Sequence, residues 1–568
     1  MPKTKTKTVW AKKTRRKLQN GIAHSQNSEQ VYQKEDITHV VRQLDSTLES
    51  DRASAANTIA LLIRNESARK LLLRERAVLK LAQLGTHGFS PEALAAYYGA
   101  LRAIALHEGY DSVLFMFRQD ILTPLQKLLI NLLQPSGIPS SSYIELTDSQ
   151  SLLLENILYL LKALSETNEK VIFAIHKAQI SSICLDLTGF GSMSQDVEIA
   201  NLQFLYSFTE DNLVGCGLLA NNKTQWTTLC NAVKSPRTPL AQILAAGALH
   251  NVLECNVLEF EVLPVHLSKL DAFVLQHVNP RLCDASLSLD GRYTLLELIA
   301  SVASTIAMQY MVDDDDNAND PGDNDNMDLI FDEEKNLLRA AAKDLGPLLG
   351  NAFLKTQALF TMQSDVGLQI RIVDCLNNIL WTLHALKATQ YINKAELWQW
   401  CFNAVRDSKM KDLACHFSSL MLGVAVLSTP IDFTAQEIEL LIRMYDEVDA
   451  DSQGKIMALL GNIGQTCALE VNDKIGQFLI FHISTIPTTA TSPAVEAMDA
   501  VIDLYADETK ESNAVFVNNS FLPILEDALP KALHMAKSID KRKKSDLRAR
   551  ADDVCSNMIN FCKYKSSL

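Results

Sequence analysis

Glycine and proline are scarce in this chain, 21 and 16 among 568 residues, and aromatic residues make up 7 %. A fold of many short strands needs frequent turns and aromatic cross-strand packing, so these shortages favour helices packed through Leu, Ile, Val and Ala. No apolar run reaches the roughly 18–20 residues that a membrane span needs. The longest candidate, Leu295 to Val312, is interrupted by Glu297, Ser301, Ser304 and Gln309. The N-terminus is basic but has no apolar core, which excludes a secretory signal. The eleven cysteines stand singly, at 184, 216, 230, 255, 283, 375, 401, 415, 467, 555 and 562, with no C-x-x-C pair. Such a set predicts free thiols, most of them inside helical cores, in a reducing compartment.

Catalytic constellations are missing as well. There is no G-x-x-x-x-G-K-[ST] phosphate loop, no G-x-G-x-x-G after a strand and no H-E-x-x-H. His107, His250 and His384 fall on or just after helical stripes, where a histidine is structural. Cys555 and Cys562 lie seven apart on one helix face, a packing distance and not a zinc-ligand spacing. Counting a calcium loop from Asp315 puts Asp320 at position 6 and Asn326 at position 12, where the motif needs Gly and Glu. The reading is a protein that is not an enzyme and takes neither metal nor cofactor.

What is present is helical periodicity. Apolar residues recur at i, i+3, i+4 and i+7 in segments of about 12–20 residues. Ala100, Leu101, Ile104 and Ala105 form one stripe, and Leu154, Ile157, Leu158 and Leu161 another. Leu202, Leu205 and Phe208, then Ala248, Leu249 and Val252, continue the series. Later stripes are Cys375, Leu376, Ile379 and Leu383; Leu459, Leu460 and Ile463; and Val501, Ile502 and Tyr505. Gly-, Pro- and Ser-rich breaks separate them, as at Gly85 to Ser90 and Ser235 to Pro239. The starts of the segments at Ile157 and Leu202 lie 45 residues apart. A period of about 40–47 residues with two or three helices marks armadillo and HEAT repeats, in which each unit buries its apolar face only by stacking on its neighbours. The predicted fold is therefore an all-α armadillo/HEAT-repeat superhelical solenoid with an acidic loop insertion. Its parts are a basic, disordered segment over 1–35, armadillo-like repeats over 36–312, the loop over 313–334 and HEAT-like repeats over 335–568. Helices are expected from Leu295 to Met311 and from Glu333 to Leu345 on either side of the loop.

Charge is unevenly placed within a net −14. Residues 313–334 hold eleven acids and no base: Asp313, Asp314, Asp315, Asp316, Asp320, Asp323, Asp325, Asp328, Asp332, Glu333 and Glu334. Like charges at that density repel and keep a segment extended. One reading is a solubilising insertion. The other is a docking strand for a basic protein, favoured by the embedded Met327, Leu329, Ile330 and Phe331, which a spacer does not need. The first 17 residues carry eight bases and no acid, Lys12, Lys13, Arg15, Arg16 and Lys17 among them, around Trp10. This arm reads as a peptide for a transport receptor in preference to a nucleic-acid contact, because one short arm on an acidic body binds nucleic acid weakly. A second basic run is Lys541-Arg542-Lys543-Lys544. Asn251, Asn378 and Asn462 each follow a buried repeat leucine by two positions and are candidates to line a peptide groove, where an amide offers both donor and acceptor to a peptide backbone. Capping or incidental asparagines have the same spacing, and Ala103 and Phe204 hold the position in earlier units.

Several stretches resemble the symportin family, HEAT-repeat import chaperones of the 5S ribonucleoprotein. They are Gly99-Ala100-Leu101-Arg102 through Asp120-Ile121-Leu122-Thr123-Pro124-Leu125, and Glu155-Asn156-Ile157-Leu158-Tyr159-Leu160-Leu161. Near the C-terminus they are Leu459-Leu460-Gly461-Asn462-Ile463-Gly464, Ile475-Gly476-Gln477-Phe478-Leu479, Glu496-Ala497-Met498-Asp499-Ala500 to Asp507, and the ending Val554 to Tyr564. The resemblance implies a monomer that shuttles between cytoplasm and nucleus, away from membranes. It implies cargo, too: the two large-subunit ribosomal proteins that accompany 5S rRNA, one in the solenoid groove and one on the acidic loop. A transportin-type karyopherin would read the N-terminus, although residues 1–35 lack the Pro-Tyr that ends such a signal. Two other readings stay open. A generic importin-α-like adaptor expects paired Trp and Asn along successive helices, but only Trp381 lies near such an Asn, and Trp226, Trp398 and Trp400 are off register. An armadillo/HEAT scaffold would leave the loop inert.

Overall fold

A computed structural model describes residues 32–133, 146–188, 193–255, 264–310, 327–407, 411–426, 433–486 and 488–568. Among them every regular element is a helix, α or short 3-10. No helix there is long and apolar enough to cross a membrane. The chain divides into two compact units, Met1–Val262 and Leu263–Leu568.

The first unit opens with Lys34–Gln43 and Glu49–Leu62 and continues in groups of three helices. These are Glu66–Arg74, Ala77–Leu84 and Pro91–Glu108; Tyr110–Arg118, Leu122–Leu133 and Asp148–Ser165; Glu169–Lys177, Ile180–Leu187 and Gln195–Thr209; then Leu213–Asn221, Lys223–Lys234 and Pro239–Glu254. The third helices stack in order, Glu49–Leu62 on Pro91–Glu108, then Asp148–Ser165, Gln195–Thr209 and Pro239–Glu254. Local chemistry sets the punctuation. Each third helix from Pro91–Glu108 onward starts on a hydroxyl cap, Ser90, Thr147, Ser194 or Thr238, whose oxygen accepts a first-turn N–H. Asn65, Asn168 and Asn212 cap first helices in the same way. The corner between first and second helices turns on one left-handed residue, Arg76, Asp120 or Gln179, with φ of 59°, 55° and 57°. Those corners carry strain that a glycine would not, and the repeat packing on both sides holds them.

The second unit is built from pairs. Leu289–Tyr310, Val366–Ala385, Lys411–Val426, Ala450–Gly464, Thr491–Tyr505 and Ser545–Ser567 form one layer, each packed on the next. Met327–Thr361, Lys394–Asp407, Ala435–Tyr445, Leu469–Ser484 and Phe521–Ser538 lie against them as the second layer. The apolar stripes are the core: Ile157, Leu158, Leu376, Ile379, Leu459 and Leu460 have no exposed surface. Burying such side chains contributes about 1.5–3 kcal/mol each, and in a stack both neighbours share the gain. Close approach is needed where the Ala450 and Thr491 helices meet. A Cβ at Gly461 would lie 2.5 Å from the Ala500 Cβ, so only glycine lets the backbones touch there.

The all-α repeat fold stands as read from the sequence. The helices beside the acidic segment are longer than the periodicity predicts. The first is Leu289–Tyr310. The second begins at Met327 and runs through Pro347 to Thr361. Gly346-Pro347 does not end it, because Gly346 and Gly350 pack on Tyr391 and hold the turn in register. Leu289–Tyr310 and Met327–Thr361 both pack on Val366–Ala385.

Candidate functional site: a helix layer of the second unit

Polar pairs join successive helices of this layer. Arg371 on Val366–Ala385 reaches Glu297 on Leu289–Tyr310 at 3.6 Å. His416 Nδ1 on Lys411–Val426 meets Asp374 Oδ1 at 2.5 Å. Arg550 Nη2, on the last helix, donates to Glu496 Oε2 at 2.6 Å and Asp499 Oδ2 at 3.1 Å. The Arg550 group forms part of the wall of a cleft of about 190 Å³ lined by Leu422, Val426, Ala458, Gly461, Asn462, Gln465, Glu496, Asp499, Ala500, Asp503 and Arg550. Its floor is made of small and aliphatic side chains, and its walls carry two amides and three carboxylates. Burial pushes the Glu496 carboxyl up, against the pull of Arg550, and pushes Asp503 up as well, helped by Asp499. The cleft is smaller than the roughly 300–1,000 Å³ of small-molecule sites. Its size and charge suit one basic side chain of an extended peptide.

The first unit has a comparable arrangement with a different use. Arg102 Nη1 donates to Glu155 Oε1 at 2.8 Å and Asn156 Oδ1 at 3.0 Å, with its guanidinium 3.6 Å over the Tyr159 ring. Asn156 Nδ2 donates to the Ala95 carbonyl at 3.1 Å. These bonds bolt neighbouring third helices together.

The three candidate asparagines part company. Asn251 is buried, and its Nδ2 donates to the Tyr206 carbonyl at 2.8 Å and Thr209 Oγ1 at 3.0 Å, so it too is a bolt between third helices. Asn378 is half-buried on Val366–Ala385, and Asn462 lines the cleft. Asp328, Leu329, Ile330, Phe331, Asp332, Glu333 and Glu334 fall on the first turns of Met327–Thr361. Asp313 to Asp316, Asp320, Asp323, Asp325 and the basic residues Lys12, Lys13, Arg15, Arg16 and Lys17 lie outside the described residues. Of the tryptophans, Trp398 is fully buried, with Nε1 donating to Glu437 Oε1 at 2.9 Å. Trp400 belongs to a ring cluster with Phe360 and Phe417. Trp381 is half-buried beside Gly423. Among the described residues no group of three or more His, Cys, Asp or Glu could hold a metal. His250 is fully buried, and burial draws its imidazole down to about 4. The sequence reading had missed Arg550 and the carboxylates it touches. Glu496-Ala497-Met498-Asp499 stood in the family-like stretch, but nothing local ties it to a residue about 50 positions away.

Stacked helix groups of this kind define an armadillo/HEAT-type repeat protein. Comparison with known proteins narrows this. The family model described as "SYO1-like, TPR repeats" matches residues 356–568. Symportin 1 of Chaetomium thermophilum is 24 % identical over 642 aligned positions, covering 93 % of this chain and 94 % of that one. "Armadillo repeat protein involved in nucleocytoplasmic transport Syo2" of Schizosaccharomyces pombe is 23 % identical, with 93 % of each chain covered. Synchronized import protein 1 of Saccharomyces cerevisiae is 21 % identical over 93 % of this chain and 92 % of its own. Among solved structures, an engineered protein aligns with 83 % of this chain and 98 % of its own at TM-score 0.49 and 16 % identity. The resemblance to the symportin family is borne out: the chain is similar to these three proteins over 93 % of its length.

Proposed function

We propose that this chain is a non-enzymatic import adaptor. It binds newly made large-subunit ribosomal proteins of the 5S ribonucleoprotein and escorts them from cytoplasm to nucleus with a transportin-type karyopherin. The observation that carries the reading is the placement of the acidic segment. Seven acids and no base, Asp313 to Asp325, stand between Leu289–Tyr310 and Met327–Thr361, and four more, Asp328, Asp332, Glu333 and Glu334, fall on the first turns of the second helix, so the charge is joined at both ends to helices that pack on a common neighbour. A negative arm of this kind raises the encounter rate with a strongly basic protein and covers its charge against stray nucleic acid. The printed names of two relatives, which speak of nucleocytoplasmic transport and of import, support the coarser role. The cleft at Asn462 supports a second contact, with a basic side chain of an extended cargo segment. Lys12, Lys13, Arg15, Arg16 and Lys17 are the proposed receptor contact.

The test is a pull-down from lysate with the intact chain and with a variant lacking residues 313–334. A pair of large-subunit ribosomal proteins, retained by the intact chain and lost or halved on deletion, is the expected result. If the intact chain retains neither, the adaptor reading fails. If the deletion changes nothing, the segment is a solubilising insertion and the scaffold reading gains.

A further inference from the structure

Cys216 and Cys255 are 39 residues apart in sequence and meet in the last three-helix group of the first unit. Cys216 lies in Leu213–Asn221, and Cys255 is the C-cap residue of Pro239–Glu254, on which that helix packs. The Cys216 thiol has no exposed surface. It donates to the Thr209 carbonyl at 3.2 Å and to the Asn251 carbonyl at 3.6 Å. The Asn251 carbonyl also accepts the Cys255 backbone N–H at 3.0 Å. One oxygen thus gathers the sulfur of one cysteine and the backbone of the other. The proximity of the two thiols pushes Cys216 up and draws Cys255 down. Cys255 is part-exposed where Cys216 is sealed, so an oxidant reaches only one of the pair directly. The scaffold around them is fixed, because Asn251 Nδ2 holds Tyr206 and Thr209 on the same helix that supplies the Thr209 carbonyl.

We propose that Cys216 and Cys255 are a modification site that closes into a reversible disulfide under hydrogen peroxide, with Cys255 reacting first. The Cys255 thiolate attacks one peroxide oxygen and breaks the O–O bond; the thiol becomes a sulfenic acid and the other oxygen leaves as water. The Cys216 thiol then attacks the sulfenic sulfur, the S–O bond breaks, and a second water leaves with the thiol proton. Two thiols and one peroxide give one disulfide and two waters. The bond ties the first helix of this repeat to the end of its third, and a dithiol reductant opens it again. Cys283 is exposed and is expected to take the ordinary course of a lone surface thiol.

The experiment uses the full chain. It is treated with graded hydrogen peroxide, its remaining thiols are alkylated under denaturing conditions, and the digest is read by mass spectrometry. The expected product is a linked peptide pair holding Cys216 and Cys255, two hydrogen masses below the sum of its parts. It should appear at lower peroxide than any sulfinic acid at either position and vanish with dithiothreitol. Cys216→Ser should turn Cys255 over to irreversible sulfinic acid at the same dose, and Cys255→Ser, which spares the buried position, should leave Cys216 alkylatable throughout. The proposal is overturned if wild-type Cys255 goes to sulfinic acid or joins another cysteine while Cys216 stays free.

Discussion

Arg550 lays its guanidinium on the Glu496 carboxylate, Nη2 to Oε2 at 2.6 Å, and so joins the last helix to the repeat before it. The two ends of the bond differ in environment. The Arg550 side chain is 50 % exposed and that of Glu496 only 19 %. An ion pair with one exposed partner contributes about 0–1 kcal/mol, but removing the cation leaves Glu496 beside Asp499 and Asp503 with nothing opposing burial. Arg550→Ala should therefore cost about 1 kcal/mol at pH 7 and progressively less as the pH falls toward the Glu496 titration. The sign follows from the raised carboxyl: burial already favours its protonated form, and a proton there replaces the arginine. Urea titrations over a pH series check this, and an equal loss at every pH would show that Arg550 acts by packing alone.

Gly461 sits at the cleft floor against Ala500. Since a Cβ there would stand 2.5 Å from the Ala500 Cβ, Gly461→Val should push the Ala450 and Thr491 helices apart. Overpacking of this kind costs about 1–3 kcal/mol, more than the ~1 kcal/mol that replacing a helical glycine can return. The expected readout is a lowered denaturant midpoint together with weaker capture of an arginine-rich peptide. A midpoint at or above wild type would mean that the two helices are not in contact.

Trp398 donates its Nε1–H to Glu437 Oε1 at 2.9 Å, and the other oxygen of Glu437 closes a capping box on Thr434. One carboxylate thus starts Ala435–Tyr445 and anchors the helix beside it. Gln399 Nε2 also reaches Oε1, at 3.2 Å, from an exposed position. Trp398→Phe should cost about 2 kcal/mol, within the range for a hydrogen bond to a charged group. Gln399→Ala should cost less than half of that. Intrinsic fluorescence and circular dichroism during denaturation measure both, and similar losses for the two would remove the tryptophan bond from the account.

Much of this fold was legible because a repeat states its rule many times. Leu154, Ile157, Leu158 and Leu161 are all fully buried, as their spacing required. The helix expected from Glu333 to Leu345 runs on through Pro347 to Thr361, and Tyr391, packed against it at Gly346 and Gly350, comes from a different segment. The asparagines show the limit of spacing. A residue two positions after a buried leucine leaves the leucine face, but what it meets there depends on the adjoining helix. Asn251 meets the preceding third helix, and Asn462 lines an open cleft. Arg550 had no local signal at all, since Ser545–Ser567 carries charge on many sides and its target lies 54 residues earlier.

Asp271 tests the electrostatics of the second unit apart from any cleft. It sits in Pro264–Val278 with no exposed surface, and burial pushes its carboxyl up to about 7. In the unfolded chain the same group titrates near 4. Between those values the folded state keeps a proton that the unfolded state has released, so the contribution of Asp271 to stability is complete below about pH 4 and is lost as the pH rises toward 7. Its slope is at most about 1.4 kcal/mol per pH unit. Asp271→Asn mimics the protonated form and removes that slope. The variant should match wild type at about pH 3.5 and exceed it at pH 8 in the denaturant midpoint of this unit. A loss of stability at pH 8 would mean that the folded chain holds Asp271 ionised and paired, and that its carboxylate is a structural anchor and not a buried acid.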